Sequence, residues 1–149
     1  YLAVKDLLGD EDSKLCLQTY MDRWHGKHPT PWDFFYTFND VAEKNLNWFW
    51  NSWFFTNNYI DIAIRDAVKT KTGYTLTLDN IGGMPAPVDV MVNYDDNTSE
   101  KLHQSPVIWE KNPKQAAIMI KTSKKITSVR IDGCIFMDAD AGNNIFTTK

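Results

Sequence analysis

Asn45-Leu46-Asn47-Trp48-Phe49-Trp50-Asn51-Ser52-Trp53-Phe54-Phe55-Thr56-Asn57-Asn58-Tyr59-Ile60-Asp61-Ile62-Ala63-Ile64-Arg65 is the stretch in which the spacing of apolar residues changes. Leu46, Phe49, Trp50 and Trp53 fall at i, i+3, i+4 and i+7, one face of an α-helix, and Asn45 stands where it can cap that helix. From Tyr59 onward apolar residues recur at every second position, as a strand with one buried face requires. The seam between the two patterns lies at Thr56 to Tyr59.

Upstream of the seam the helical period continues. Thr30-Pro31-Trp32-Asp33 predicts a helix start: Thr30 as N-cap, Pro31 in the first helical position, and Asp33 placed three residues on to close a capping box. That helix should run to about Val41. Before it, Leu15, Cys16, Thr19, Tyr20 and Arg23-Trp24 share one face of another helix, with Asp12 or Ser13 placed to cap it. Tyr1 to Leu8 reads as the end of a helix already under way, stopped by Gly9. Together with the lack of an initiator Met and of a signal peptide, this predicts a piece of a longer protein.

Downstream, Tyr59–Arg65, Tyr74–Leu78, Val88–Tyr94, Ala117–Ile120 and Ile126–Ile131 alternate or carry β-branched residues, and read as strands. Turn signals separate them at Lys71-Thr72-Gly73, Asn80 to Gly83, Asp95-Asp96-Asn97, Lys111-Asn112-Pro113 and Ser123-Lys124-Lys125. Short strands so spaced predict an antiparallel β-sandwich of immunoglobulin-like outline. The expected fold class is therefore α+β: a short N-terminal helical bundle segment, 1–56, followed by the sandwich, 57–149.

Composition narrows the function. The chain has 149 residues, 43% of them apolar, enough for one ordinary core or two small ones. A net charge of -3 with acids and bases interspersed provides no basic stripe for nucleic acid. No apolar run approaches the roughly 20 residues that span a bilayer. Cys16 and Cys134 lie far apart without metal-ligand spacing, and read as two separate buried thiols, with a disulfide as the competing reading.

Several groups were candidates for chemistry. His25 and His28 flank Gly26-Lys27 and could supply two imidazoles to a metal, but neither HExxH nor a Cys cluster completes a zinc set. The other reading is a loop joining two helices, its histidines making hydrogen bonds or interface contacts. Asp132 to Asn144, with Asp138 and Asp140 inside it, places oxygens at alternate positions as calcium loops do, yet lacks the bidentate Glu; a turn is the competing reading. His103 has no nucleophile alongside, and Gly82-Gly83 precedes a strand where a phosphate cradle would precede a helix. No catalytic, cofactor-binding or metal residue is assigned. The aromatic residues suggest sugar stacking, although their helical spacing suits packing.

Leu7-Leu8-Gly9, Cys16 to Trp24, Lys27-His28-Pro29-Thr30-Pro31-Trp32-Asp33-Phe34-Phe35, Leu46-Asn47-Trp48-Phe49-Trp50 with Trp53-Phe54-Phe55, Met84-Pro85-Ala86-Pro87-Val88 and Asn143-Asn144-Ile145-Phe146 together resemble the C-terminal part of bacterial M1 family metallopeptidases, the aminopeptidase N-like gluzincins. The resemblance spans nearly the whole chain; its helical runs are specific and its strand half matches more loosely. It implies a catalytic domain preceding this chain, with HExxH, a distant third Glu ligand and a Tyr that steadies the tetrahedral intermediate. Zinc in that domain would polarise the scissile carbonyl and activate water, with the HExxH Glu as base. None of those residues lies here, and the role of the Tyr is not carried to Tyr1.

On that resemblance the chain is a non-catalytic C-terminal region whose partners are the upstream catalytic domain and, through it, peptide substrate. The implied location is the cell envelope, periplasm or exterior. An apolar face involving some of Tyr20, Trp24, Trp32, Phe35, Trp48 and Phe55 should be exposed and promote self-association. The alternatives are an independent carbohydrate- or protein-binding sandwich, or a scaffold that has lost its zinc motif.

Overall fold

The computed structural model describes residues 1–132 and 136–148. These form an α+β protein that divides into two compact units, Tyr1–Asn57 and Asn58–Lys149.

The first unit holds four helices: α1 (Leu2–Leu8), α2 (Asp10–Trp24), α3 (Pro31–Val41) and α4 (Asn47–Phe54). Gly9 ends α1, its amide donating to the Lys5 carbonyl at 2.8 Å. It takes φ 84° and ψ 168°, angles open to glycine and strained for other residues, so α2 restarts at the very next residue. This corrects the expected cap. Asp12 and Ser13 lie inside the first turn of α2, where Asp10, Glu11 and Asp12 favour the positive end of the helix dipole. The face also rotates from the predicted one: Cys16 and Ser13 are buried, whereas Leu15 is exposed. The Cys16 thiol lies 3.9 Å from the Phe38 carbonyl, which ties α2 to α3.

At α3 the capping box forms. The Asp33 carboxylate accepts from the Thr30 amide and from the Thr30 hydroxyl, each at 2.7 Å, with Pro31 in the first turn. Leu46, Phe49 and Trp50 of the next segment are all buried, as their spacing predicts, and the Asn47 amide donates to Asn45 Oδ1 at 3.1 Å.

The second unit contains two antiparallel sheets. One has the strand order β1-β2-β5, from β1 (Ile62–Thr70), β2 (Gly73–Asn80) and β5 (Gln115–Lys121). The other runs β4-β3-β6-β7, from β3 (Val88–Tyr94), β4 (Ser99–Gln104), β6 (Ile126–Asp132) and β7 (Ile145–Thr147). Alternate residues are buried: Tyr74, Leu76 and Leu78 on β2, Ile118 and Ile120 on β5, Val88, Val90 and Val92 on β3, and Val129 and Ile131 on β6, where a register shift opposite Asn93 and Tyr94 buries Ile126 as well. The Ile126 amide donates to the Tyr74 hydroxyl at 3.4 Å, a direct link from one sheet to the other.

Several strand limits differ from the periodicity. β1 begins at Ile62 because Tyr59 makes an isolated parallel bridge with Gly83, while the Asp61 carbonyl accepts the Ile81 and Gly82 amides. The strand then runs on to Thr70, with an irregularity between Ile64 and Asp66 that takes Arg65 out of register. β4 and β7 were not among the five predicted strands. Ser99-Glu100-Lys101-Leu102-His103-Gln104 is too polar to show an apolar alternation, which suits an exposed sheet edge. β7 is three residues long, shorter than the window in which alternation can be read.

Candidate functional site

The aromatic residues of the first unit surround an open groove of about 440 Å³, lined by Trp32, Phe35, Tyr36, Asn47, Trp50, Asn51 and Phe55. Its floor follows from the helix starts. The capping box orients the first turn of α3 and with it Trp32. Phe35, one turn on, is buried and stacks on Trp50 at 5.1 Å between ring centroids. Asn39 then fixes α4 against α3: its Oδ1 accepts the Trp50 indole N–H at 3.0 Å and the Leu46 amide at 3.3 Å, and its Nδ2 donates to Asn47 Oδ1 at 2.8 Å. No spacing rule marks Asn39 in the sequence, because its partners lie seven to eleven residues away across a turn.

At the rim, Trp32 and Phe55 stack nearly parallel, 5.1 Å apart at 9°. Trp32 also stacks on Tyr36 at 6.3 Å. The three rings remain 51%, 61% and 51% exposed for Trp32, Tyr36 and Phe55 respectively, so their mutual contact leaves about half of each in water. Of the residues expected on an exposed face, Trp32 and Phe55 are there, whereas Tyr20, Trp24 and Trp48 are half-buried. Phe35 corrects the expectation: it lies 3% exposed, enclosed by Trp32, Phe34, Trp50, Phe54 and Phe55. No charged side chain lines the groove. What it presents is flat apolar surface with two carboxamides, Asn47 and Asn51, at one side.

The remaining candidates lie outside the groove. His25 and His28 are exposed between α2 and α3, where the His25 amide closes the end of α2 on the Met21 carbonyl at 2.8 Å. Asp138 Oδ2 accepts the Ile62 amide at 2.9 Å, its Oδ1 accepts the Asp140 amide at 2.9 Å, and Asp140 Oδ1 accepts the Gly142 amide at 2.9 Å. Asn143 donates to the buried Asp61 at 3.0 Å, so this bond and the one from Ile62 pin the loop to the start of β1, while the Asp140 and Gly142 amide bonds shape it as a turn. Gly82 and Gly83 make a close turn on Tyr59: a Cβ at Gly82 would lie 2.2 Å from the Tyr59 carbonyl oxygen. Among the described residues no group of three His, Cys, Asp or Glu side chains could hold a metal ion.

His103 sits on β4 with Nδ1 2.7 Å from Asp89 Oδ1, and Lys101 Nζ lies 2.9 Å from Asp89 Oδ2. Partial burial alone would push the Asp89 carboxyl up, but the hydrogen bonds from His103 and Lys101 outweigh it and hold the group below the usual carboxylate range. Asp79 behaves alike: desolvation is outweighed by hydrogen bonds from Arg65 at 2.7 Å and Gln115 at 3.1 Å. Burial pushes the Cys16 thiol up, with Asp12 adding to it, so the thiolate is disfavoured. Cys134, the other predicted buried thiol, lies outside the described residues.

No protein-family model matches the chain, and no curated protein matches its sequence. Among the described residues no helix is long and apolar enough to cross a membrane.

Proposed function

We propose that the chain is a non-catalytic C-terminal region of an M1-like zinc metallopeptidase of aminopeptidase type. In this reading the helices complete the catalytic domain, the sheets form an immunoglobulin-like sandwich, and the aromatic groove docks onto the rest of that domain. The observation that carries it is the ring set at the groove: Trp32, Tyr36 and Phe55, each at least half exposed and clustered on one uncharged surface. Monomeric proteins rarely leave contiguous apolar patches beyond roughly a few hundred Å² without a partner. The KHPTPWDFF and WFW-x-x-WFF runs that build the groove are also the residues on which the family resemblance is most specific.

The zinc, its HExxH and Glu ligands and the catalytic Tyr belong in this reading to the preceding domain. By itself the chain cleaves no peptide, and the parent acts in the envelope, the periplasm or outside the cell. The deciding experiment is to sequence the gene upstream of Tyr1. HExxH, a later Glu and a Tyr shortly before α1 are expected there. A parent lacking all three would overturn the peptidase reading and leave a scaffold.

The lack of charge in the groove, with Asn47 and Asn51 beside flat rings, favours a second reading as a carbohydrate-binding module. Titration with neutral oligosaccharides, followed by Trp fluorescence, separates the two: a saturable change supports sugar binding, and a flat response removes it.

A further inference from the structure

The connection between β3 and β4 reads Asp95-Asp96-Asn97-Thr98, and β4 opens with Ser99. Asn97-Thr98-Ser99 is an N-x-S/T triplet without proline in the middle position, the acceptor pattern for N-linked glycans and one found on surface loops of exported proteins. No other asparagine of the chain is followed two residues later by Ser or Thr.

We propose that Asn97 is the acceptor of an N-linked glycan. This inference does not rest on the metallopeptidase reading. Residues 95–100 are all exposed, so the triplet sits at the tip of a hairpin that projects into solvent. Asn97 takes φ 63°, the left-handed conformation that Asn tolerates better than most residues. Its neighbours hold the turn without using its side chain. The Asn97 amide donates to the Tyr94 carbonyl at 3.2 Å, the Tyr94 amide to the Thr98 carbonyl at 2.9 Å, and the Asp95 amide to the Lys125 carbonyl at 3.0 Å. Asp96 Oδ1 accepts from both the Thr98 amide and the Thr98 hydroxyl, and Lys124 Nζ donates to that hydroxyl at 2.8 Å. Lys124 also pairs with Asp96 at 2.7 Å.

The Asn97 carboxamide and the Ser99 hydroxyl take no hydrogen bond among the described residues. These are the groups that glycan transfer uses, the nitrogen as nucleophile and the hydroxyl two residues on for recognition. In the transfer, Asn97 Nδ2 attacks the anomeric carbon of an oligosaccharide carried on a lipid pyrophosphate. The carbon–oxygen bond to the pyrophosphate breaks and its electron pair leaves with the lipid pyrophosphate. One Nδ2 proton passes to a base of the transferase, and nothing is oxidised or reduced. A glycan there would overhang the exposed outer edge of β4 and hinder pairing with a foreign strand.

The test uses protein isolated from its own host and cut with trypsin. The peptide running from Thr72 to Lys101 is expected to carry added sugar mass, removable by a glycoamidase that converts the acceptor to an acid. Asn97→Gln and Ser99→Ala made in the same host are expected to lose all of that mass, and Ser99→Ala, which leaves the left-handed Asn97 in place, to melt at the native temperature. A Thr72–Lys101 peptide found wholly unmodified in native material overturns the proposal. Sugar retained on the peptide in Ser99→Ala overturns it equally, since it places the modification on another residue.

Discussion

The two units bury their apolar residues by different means, and with different completeness. The two sheets pack aliphatic and β-branched side chains largely at alternate positions, and their inner faces close: Leu76, Leu78, Val90, Val92, Ile126 and Val129 are wholly enclosed. The helical unit packs rings on rings in short helices. Its centre closes around Phe35, Phe38, Phe49 and Trp50, but Trp32, Tyr36, Phe54 and Phe55 stay largely in water. A sheet that alternates has one face to cover, and a second sheet covers it. An eight-residue helix such as α4, rich in aromatic residues around much of its circumference, has more apolar surface than two neighbours can take. The helical unit is therefore the one that leaves large rings in water.

The largest effect that would break this comparison lies in the sheet unit. Trp109 is 1% exposed and its indole N–H donates to the Ala86 carbonyl at 2.9 Å. Trp109→Ala should destabilise that unit by about 3–5 kcal/mol. In scanning calorimetry it should lower one transition and leave that of the helical unit in place. A single transition lowered as a whole would show that the units melt as one body.

Next comes Asn39→Leu. It removes the acceptor of the Trp50 indole and of the Leu46 amide, and should cost the helical unit about 1–3 kcal/mol in urea denaturation. An unchanged midpoint would mean that ring packing alone seats α4.

Acid should act on the sheet unit more gently. Asp79, Asp89 and Asp96 are all held below the usual carboxylate range, Asp96 at about 2 chiefly through its hydrogen bonds with Lys124 and Thr98. A carboxylate whose folded value is depressed stabilises the fold above its unfolded value near 4, and that stabilisation is lost as pH falls through the folded value. The melting temperature of the sheet unit should therefore decline between about pH 4 and pH 2, less steeply in Arg65→Met and Lys124→Met. A melting temperature independent of pH over that range would remove these ion pairs from the account.

The smallest effect on stability, and the sharpest on the comparison, is expected from Trp32→Ala with Phe55→Ala. Both rings are half exposed, so the double variant should melt within about 1 kcal/mol of the parent. Its binding of a hydrophobic dye and its self-association, read by light scattering, should nonetheless fall well below those of the parent chain. Equal dye binding by both proteins would place the sticky surface elsewhere.

What could be read in the sequence was what short-range chemistry decides. The Thr30–Asp33 capping box, the buried stripe of Leu46, Phe49 and Trp50, the stop at Gly9 and the limits of β3 each depend on residues within about one or two turns of helix or one strand. The change of period at Thr56 to Tyr59 is local in the same sense. The tertiary structure alone decided which rings are covered: Phe35 is enclosed and Trp32 is not, although both lie on α3 three residues apart, because α4 and Phe54 arrive over one and not the other. It also decided that β4 and β7 are strands, since a polar or very short segment becomes a strand only when a neighbour such as β3 or β6 supplies the ladder. The same holds for Asn39, which acts through partners across a turn, and for Asp138, whose carboxylate is occupied by the Ile62 amide, 76 residues distant in the chain. Burial and long-range hydrogen bonds depend on what the fold brings near, and spacing along the chain carries no record of that.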